Sequence, residues 1–214
     1  MKRTLRAILS MFVVFVALCA IALVASSTAT PLPKTSKTLQ NLEAAYNGES
    51  NAHAKYLLFA QKADEEGCGE VASLFRAAAR AEKIHLTNHA AVIRELGAEP
   101  QAKIETPEIK STRQNLEDSA NKGEAYERDT MYPKFIKQAK LENVPDAVQS
   151  FEYARAAEAQ HFKLFTDALN NLENMRGKSR TYYVCAICGF TSTEKATAEC
   201  AGCPVHKERY EAIN

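Results

Sequence analysis

Between Ser36 and Leu172, apolar residues recur at alternating intervals of three and four, the spacing of amphipathic helices. The pattern breaks at "EEGCG" (65–69), at "LGAEPQAKIETPE" (96–108) and at "ENVPD" (142–146), which predicts four long helices near residues 37–66, 69–96, 111–141 and 146–174. The two short breaks imply antiparallel neighbours, and the long middle one is the crossover of one class of four-helix bundle. The expected fold class is mainly α, with a small region of different character at the C-terminus.

Each apolar seam contains acid near its midpoint. The first reads Leu42, Ala45, Glu49, Ala52, Tyr56, Phe59, Ala63, and the second Val71, Phe75, Ala78, Glu82, His85, His89, Val92. The third reads Leu116, Ala120, Glu124, Glu127, Met131, Phe135, and the fourth Phe151, Ala154, Glu158, His161, Phe165, Ala168, Leu172. A buried, unpaired carboxylate is costly, so it is normally neutralised, paired or bound to a metal. Residues three apart share a helix face, so Glu82 with His85 and Glu158 with His161 can each offer two groups to one ion. One Glu from each of two helices plus a Glu-x-x-His from each of the others is the di-iron carboxylate pattern. Here the third helix adds a second acid, Glu127. Oxygen donors with a few imidazoles suit iron or manganese better than zinc or copper(I). Tyr56 and Tyr132 are candidates to hydrogen-bond the ligand carboxylates, while His53 and His89 read as lying beside the cage or in solvent. Cys68 reads as an inert thiol, and Pro133 should kink the third helix or shift its register.

The C-terminal segment "YYVCAICGFTSTEKATAECAGCPVHKERYEAIN" is aromatic, short-stranded and rich in turns. Cys185-x-x-Cys188 and Cys200-x-x-Cys203 form two knuckles able to close on one tetrahedral ion. Four thiolates indicate a single iron or a structural zinc.

The start of the chain is an address. A basic beginning, a charge-free apolar stretch from Ala7 to Ala25 and the small-residue tail Ser27-Thr28-Ala29 have the layout of a secretory signal. The reading is a signal peptide or membrane anchor over 1–29, a linker over 30–36, the metal-binding bundle over 37–176 and the cysteine domain over 182–214. The folded part is expected outside the cytoplasm, in the periplasm of a bacterium, or tethered to a membrane and facing outward if the signal is not cleaved. Removing Lys2, Arg3 and Arg6 from the net charge of +1 leaves −2 for the remainder, which gives no basic face for nucleic acid.

The residues around these groups, "NGES" at Glu49, "EKIH" from Glu82 to His85, "GEAYERDTMYP" from Gly123 to Pro133 and "EAQH" from Glu158 to His161, resemble those of rubrerythrin, a ferritin-like di-iron bundle followed by a rubredoxin-like domain. The resemblance covers everything after the signal. It implies that Glu82 and Glu158 bridge two irons, that Glu49 ligates one and that Glu124 with His161 ligates the other. Glu127 and His85 would be alternative ligands of the first iron, and Tyr56 and Tyr132 would hydrogen-bond near the cluster. Cys185, Cys188, Cys200 and Cys203 would hold a third iron, and a homodimer would bring that iron near the partner's di-iron site. Two positions depart from the pattern: Ala201 follows the third cysteine where proline is usual, and Pro204 follows the fourth where a small residue is usual. Pro204 lacks a backbone N–H that could bond a sulfur, which bears on the iron's potential.

The function implied is reduction of hydrogen peroxide to water at the iron pair, with electrons relayed from an unidentified donor through the cysteine iron. The alternatives are a ferroxidase or iron-handling protein and a non-enzymatic electron carrier with a structural zinc.

Overall fold

The computed structural model describes residues 36–195, 199–204 and 209–214; the segment read as an export signal, and the linker up to residue 35, lie outside them. Helix α1 (Lys37–Glu65) begins where the Ser36 hydroxyl accepts the Leu39 N–H at 3.1 Å. The Glu142 carboxylate, at the break after the third helix, accepts the N–H groups of Lys37 and Thr38 at 3.1 and 2.9 Å. These side chains satisfy donors that a helix start leaves free. A three-residue turn leads to α2 (Gly69–Glu95), which packs antiparallel along α1.

The crossover that follows is pinned rather than loose. Lys103 and Glu105 donate their N–H groups to the side-chain oxygens of Asn47 and Asn51, each at 2.8 Å. Asn51 Nδ2 also donates to the Lys103 carbonyl at 2.9 Å.

The third helix is not uniform. It comprises α3 (Thr112–Asp118), two π-helical stretches, Ser119–Glu124 and Glu127–Met131, and α4 (Tyr132–Leu141). The register does shift, but in the two π stretches ahead of Pro133 rather than at it, since each π turn takes up more residues than an α turn. The seam predicted from a regular period therefore slips: beyond Glu124 the buried residues are Tyr132, Ile136 and Ala139, while Met131 and Phe135 are only partly buried. Helix α5 (Pro145–Asn170) starts on Pro145, whose missing N–H a helix start does not need, and ends in a 3-10 turn, Leu172–Met175. In α1, α2 and α5 every predicted seam residue is buried.

Acids and imidazoles divide the core in two. On one side Tyr56, Phe59, Phe75 and Phe165 stack with ring centroids 5.2–6.3 Å apart. On the other, Tyr132, Phe135 and Phe151 pack beside Leu39, Leu42, Val92 and Ile93.

The chain then folds back over α2. Gly177 N–H donates to the Gly67 carbonyl at 2.9 Å, and Gly177 O comes so close to Gly69 that a Cβ there would lie 2.3 Å away. Strands β1 (Tyr182–Cys185), β2 (Thr191–Ser192) and β3 (Tyr210–Ile213) form an antiparallel sheet ordered β2-β1-β3. Arg80 of α2 holds this sheet through a two-point contact with Glu211, at 2.7 and 2.8 Å. Among the described residues, no helix is long and apolar enough to cross a membrane.

Candidate metal centres

Four helices converge on two overlapping groups of ligand-type side chains, all buried: Glu49, Glu82, His85 and Glu158, and Glu82, Glu124, Glu158 and His161. Within each group one donor atom per residue lies within 4.8 Å of the others. His85 Nδ1 lies 2.8 Å from Glu82, 3.0 Å from Glu158 and 3.9 Å from Glu49. His161 Nδ1 lies 2.8 Å from Glu158, 3.5 Å from Glu82 and 3.8 Å from Glu124. Glu82 and Glu158 thus belong to both groups, as a bridging pair must.

Both imidazoles also have an acceptor at the other nitrogen. His85 Nε2 donates to the Cys188 carbonyl at 3.1 Å, and His161 Nε2 to the Thr191 hydroxyl at 3.0 Å, the latter donating onward to the Gly189 carbonyl at 3.2 Å. With an acceptor at each nitrogen, both rings are imidazolium in the metal-free chain. Burial pushes His85 down, but the carboxylates of Glu158 and Glu82 outweigh it and hold the ring at about 10. His161 is likewise raised against its burial by Glu124, Glu158 and Glu82. For Glu82, burial is outweighed by the two imidazoles, which hold its carboxyl well below the usual range. Burial pushes Glu124 up to about 8, and drives Glu49 and Glu127 up as well, with neighbouring carboxylates adding to the rise. The pocket is short of positive charge.

Two phenols close it off. Tyr56 donates to Glu124 Oε1 and Tyr132 to Glu49 Oε1, both in short contacts. The second oxygens, Glu49 Oε2 and Glu124 Oε2, have no hydrogen-bond partner among the described residues. Glu158 Oε1 has none either, because the nearby His85 N–H is directed at Glu82. Three orphaned, buried carboxylate oxygens in one pocket are what a bound cation relieves, since such atoms are otherwise costly. The donor set fits a pair of hard or borderline metal ions.

Glu127 stands apart. It opens the second π stretch, is only partly buried and joins neither group, so His85 rather than Glu127 completes the first one in this structure. His53 donates to the Ala79 carbonyl at 2.7 Å, and Cys68 is a buried free thiol in the α1–α2 turn.

The four C-terminal cysteines form a third group, with Cys185 Sγ 3.8 Å from Cys203 Sγ and Cys188 Sγ 3.5 Å from Cys200 Sγ. These are far longer than disulfide bonds, and they match the edge of about 3.8 Å of a tetrahedron with metal–sulfur bonds of about 2.3 Å. Gly202 N–H reaches Cys200 Sγ at 3.4 Å. This cluster lies against the carboxylate pocket of its own chain, a contact that the resemblance places between two subunits. The pinned return at Gly177 turns the cysteine domain back onto α2. Asn88 Nδ2 adds a bond to the Ile187 carbonyl at 2.9 Å. Gly189 permits the approach: it has φ +77°, and a Cβ there would sit 2.3 Å from His85 Nε2. Cys188, Gly189 and Thr191 act here through a carbonyl, a missing side chain and a hydroxyl, and no spacing rule marks such contacts.

A bundle with paired Glu-x-x-His helices, two ligand groups sharing two glutamates and a cysteine knuckle resting on both histidines defines a di-iron carboxylate protein joined to a tetrathiolate module. The rubrerythrin family profile matches residues 40–169, and the chain belongs to that family. It is 34% identical over 183 residues to rubrerythrin-2 of Clostridium acetobutylicum, covering 84% of this chain and 98% of that one. It is 36% identical over 178 residues to nigerythrin of Nitratidesulfovibrio vulgaris, covering 82% and 86%. The structure of fully reduced, all-ferrous nigerythrin superposes with a TM-score of 0.76 at 35% identity, over 86% of this chain and 91% of that one. A bacterioferritin from Desulfovibrio desulfuricans, at 23% identity and a TM-score of 0.58, shares the bundle fold. The cofactors are accordingly a di-iron site in the carboxylate pocket and a metal on the four cysteines.

Proposed function

We propose that this chain reduces hydrogen peroxide to two molecules of water, consuming two electrons and two protons per turnover, with iron at all three metal positions. The observation that carries the reading is the direct seat of the cysteine knuckle on the two metal-binding imidazoles, through Cys188 O and Thr191 Oγ1. A storage protein has no use for such a contact, whereas an electron relay needs it. When bound, two ferrous ions would supply the electron pair for O–O cleavage, and an iron on the four cysteines would supply single electrons to restore it.

The protein's own groups do the rest. Glu82 and Glu158 would fix the spacing of the two ions, Glu49 with His85 would complete one position, and Glu124 with His161 the other. Tyr56 and Tyr132 occupy one oxygen of Glu124 and of Glu49 and leave the other oxygen for metal. Glu127, raised by burial and outside both groups, can keep a proton at the edge of the pocket. The aromatic layers on either side exclude water. The composition of residues 1–29 supports export, so we place this reaction outside the cytoplasm, with electrons from an external one-electron donor.

The test is anaerobic stopped-flow on reduced, iron-loaded protein lacking residues 1–29, mixed separately with hydrogen peroxide and with air-saturated buffer. The expected result is fast reoxidation of the ferric-thiolate colour by peroxide, much slower reoxidation by O₂, and loss of the peroxide phase in Glu82→Ala. A reaction with O₂ as fast as with peroxide would make the chain a ferroxidase instead. The absence of a coloured band would assign zinc to the cysteines and end the relay.

A further inference from the structure

Behind Tyr132 lies a polar chain that the metal pocket does not account for. His89 is fully buried on α2, one turn beyond His85, with Nε2 3.2 Å from the Tyr132 hydroxyl and Nδ1 2.7 Å from Ser150 Oγ on α5. Its ring also packs against Phe151, centroids 5.4 Å apart.

With Glu49 ionised, as a metal ligand must be, proton counting fixes the direction of every bond. Tyr132 has one hydroxyl proton, and Glu49 Oε1 receives it. The nitrogen facing the same phenol oxygen must therefore donate, which places the single proton of a neutral imidazole on Nε2. Nδ1 is then an acceptor, and Ser150 supplies the proton. The chain Ser150 → His89 → Tyr132 → Glu49 runs one way across four helices. Among the described residues the other phenol has no such backing: Tyr56 packs against Phe59, Phe75 and Phe165.

We propose that His89 is a positioning residue that, by donating Nε2–H to the Tyr132 oxygen, holds the phenol proton on Glu49 Oε1 and presents Glu49 Oε2 to the metal. Three observations support it beyond the distances. Glu49 Oε2 is the oxygen without a hydrogen-bond partner. A donor on a phenol oxygen strengthens that phenol's own donation, as in any hydrogen-bond chain. Burial keeps the ring neutral, pushing it down to about 3, so the one-proton arrangement holds throughout the neutral range. The inference rests on the metal reading of the pocket and not on peroxide as substrate, so it survives or falls independently of turnover.

The first test is long-range ¹H–¹⁵N NMR of the histidine-labelled protein with diamagnetic zinc in the carboxylate pocket, which keeps Glu49 ionised. His89 is expected as the neutral Nε2–H tautomer with a slowly exchanging ring proton, and an Nδ1–H tautomer or an imidazolium overturns the proposal. The second is anaerobic titration with ferrous ion, the two positions being followed by near-infrared circular dichroism. His89→Leu should weaken the Glu49-side position about tenfold, the worth of one buried hydrogen bond, and leave the Glu124-side position unchanged. His89→Gln, which keeps a donor at similar reach, should restore most of the loss. In a Tyr132→Phe background His89→Leu should have no further effect, because it acts through that phenol. Equal losses at both positions, no recovery with glutamine, or additive losses in the double variant would each overturn the proposal.

Discussion

Gly189→Ala is the sharpest probe of how the cysteine domain is seated. Gly189 has φ +77°, where an alanine costs about 1–2 kcal/mol. The new Cβ would also lie 2.3 Å from His85 Nε2, 2.9 Å from His85 Cδ2 and 3.2 Å from the Ala81 carbonyl. His85 has nowhere to retreat, because it is fully buried and its Nδ1 is tied to Glu82 at 2.8 Å. The loop must move instead and surrender the His85–Cys188 bond, worth about 1.5–3 kcal/mol for a charged donor. The sum, about 2.5–5 kcal/mol, multiplies the undocked fraction by about 10²–10⁴. Trypsin cleavage after Arg180 reads that fraction, since Arg180 is held by Glu70 at 2.8 Å and its N–H by Ser73 at 3.3 Å while the domain is docked. The rate should rise by about two to four orders of magnitude, with helix content and the bundle's own unfolding unchanged. An unchanged cleavage rate in Gly189→Ala would refute the close approach and the intrachain seat built on it.

Three further outcomes are expected. Metal-free protein should lose stability between about pH 5 and pH 9: Glu124 ionises at 4.5 unfolded but at about 8 folded, and the stability that His85 adds below 6.5 is lost as pH rises towards about 10. The slope is about 1.4 kcal/mol per pH unit for each proton that the folded state retains, checked by urea denaturation at several pH values, and metal loading should flatten it. Loading two ferrous ions at neutral pH should release at least two protons, one from each imidazolium, because a ligating nitrogen must be unprotonated; calorimetry in buffers of different ionisation enthalpy measures this. Glu142→Ala strips two N–H partners from the start of α1 and should cost about 1–2 kcal/mol in thermal unfolding, with the metal sites intact.

The sequence pattern located three helices and the acids within them because a regular helix keeps its period and a seam is a one-dimensional property. Glu49, Glu82, His85, Glu158 and His161 meet because their helices stay in phase across the whole bundle. The third helix broke that rule. Its two π stretches rotate everything after Glu124, so Tyr132 rather than Met131 faces the interior, and Glu127 sits at the rim of the pocket. Pro133 marked the disturbance but not its extent. The contacts of Cys188, Thr191, Ser150 and His89 depend on how elements lie against one another in space, which no period encodes. His89 was conspicuous as a second histidine in one seam, yet only its partners on α4 and α5 give it a role.

The bond between His85 and Cys188 also makes the two metal centres thermodynamically inseparable. One nitrogen of His85 faces the carboxylate pocket, and the other holds the backbone of a thiolate ligand. Metal at the carboxylates removes a proton from that ring and so weakens the field it casts on the sulfurs. Whatever free energy this adds to or subtracts from metal binding at the cysteines, the same amount must appear in the affinity of the pocket for its metal, because the two are legs of one cycle. A change in the occupancy of one site is thus an allosteric signal to the other, carried by a single imidazole.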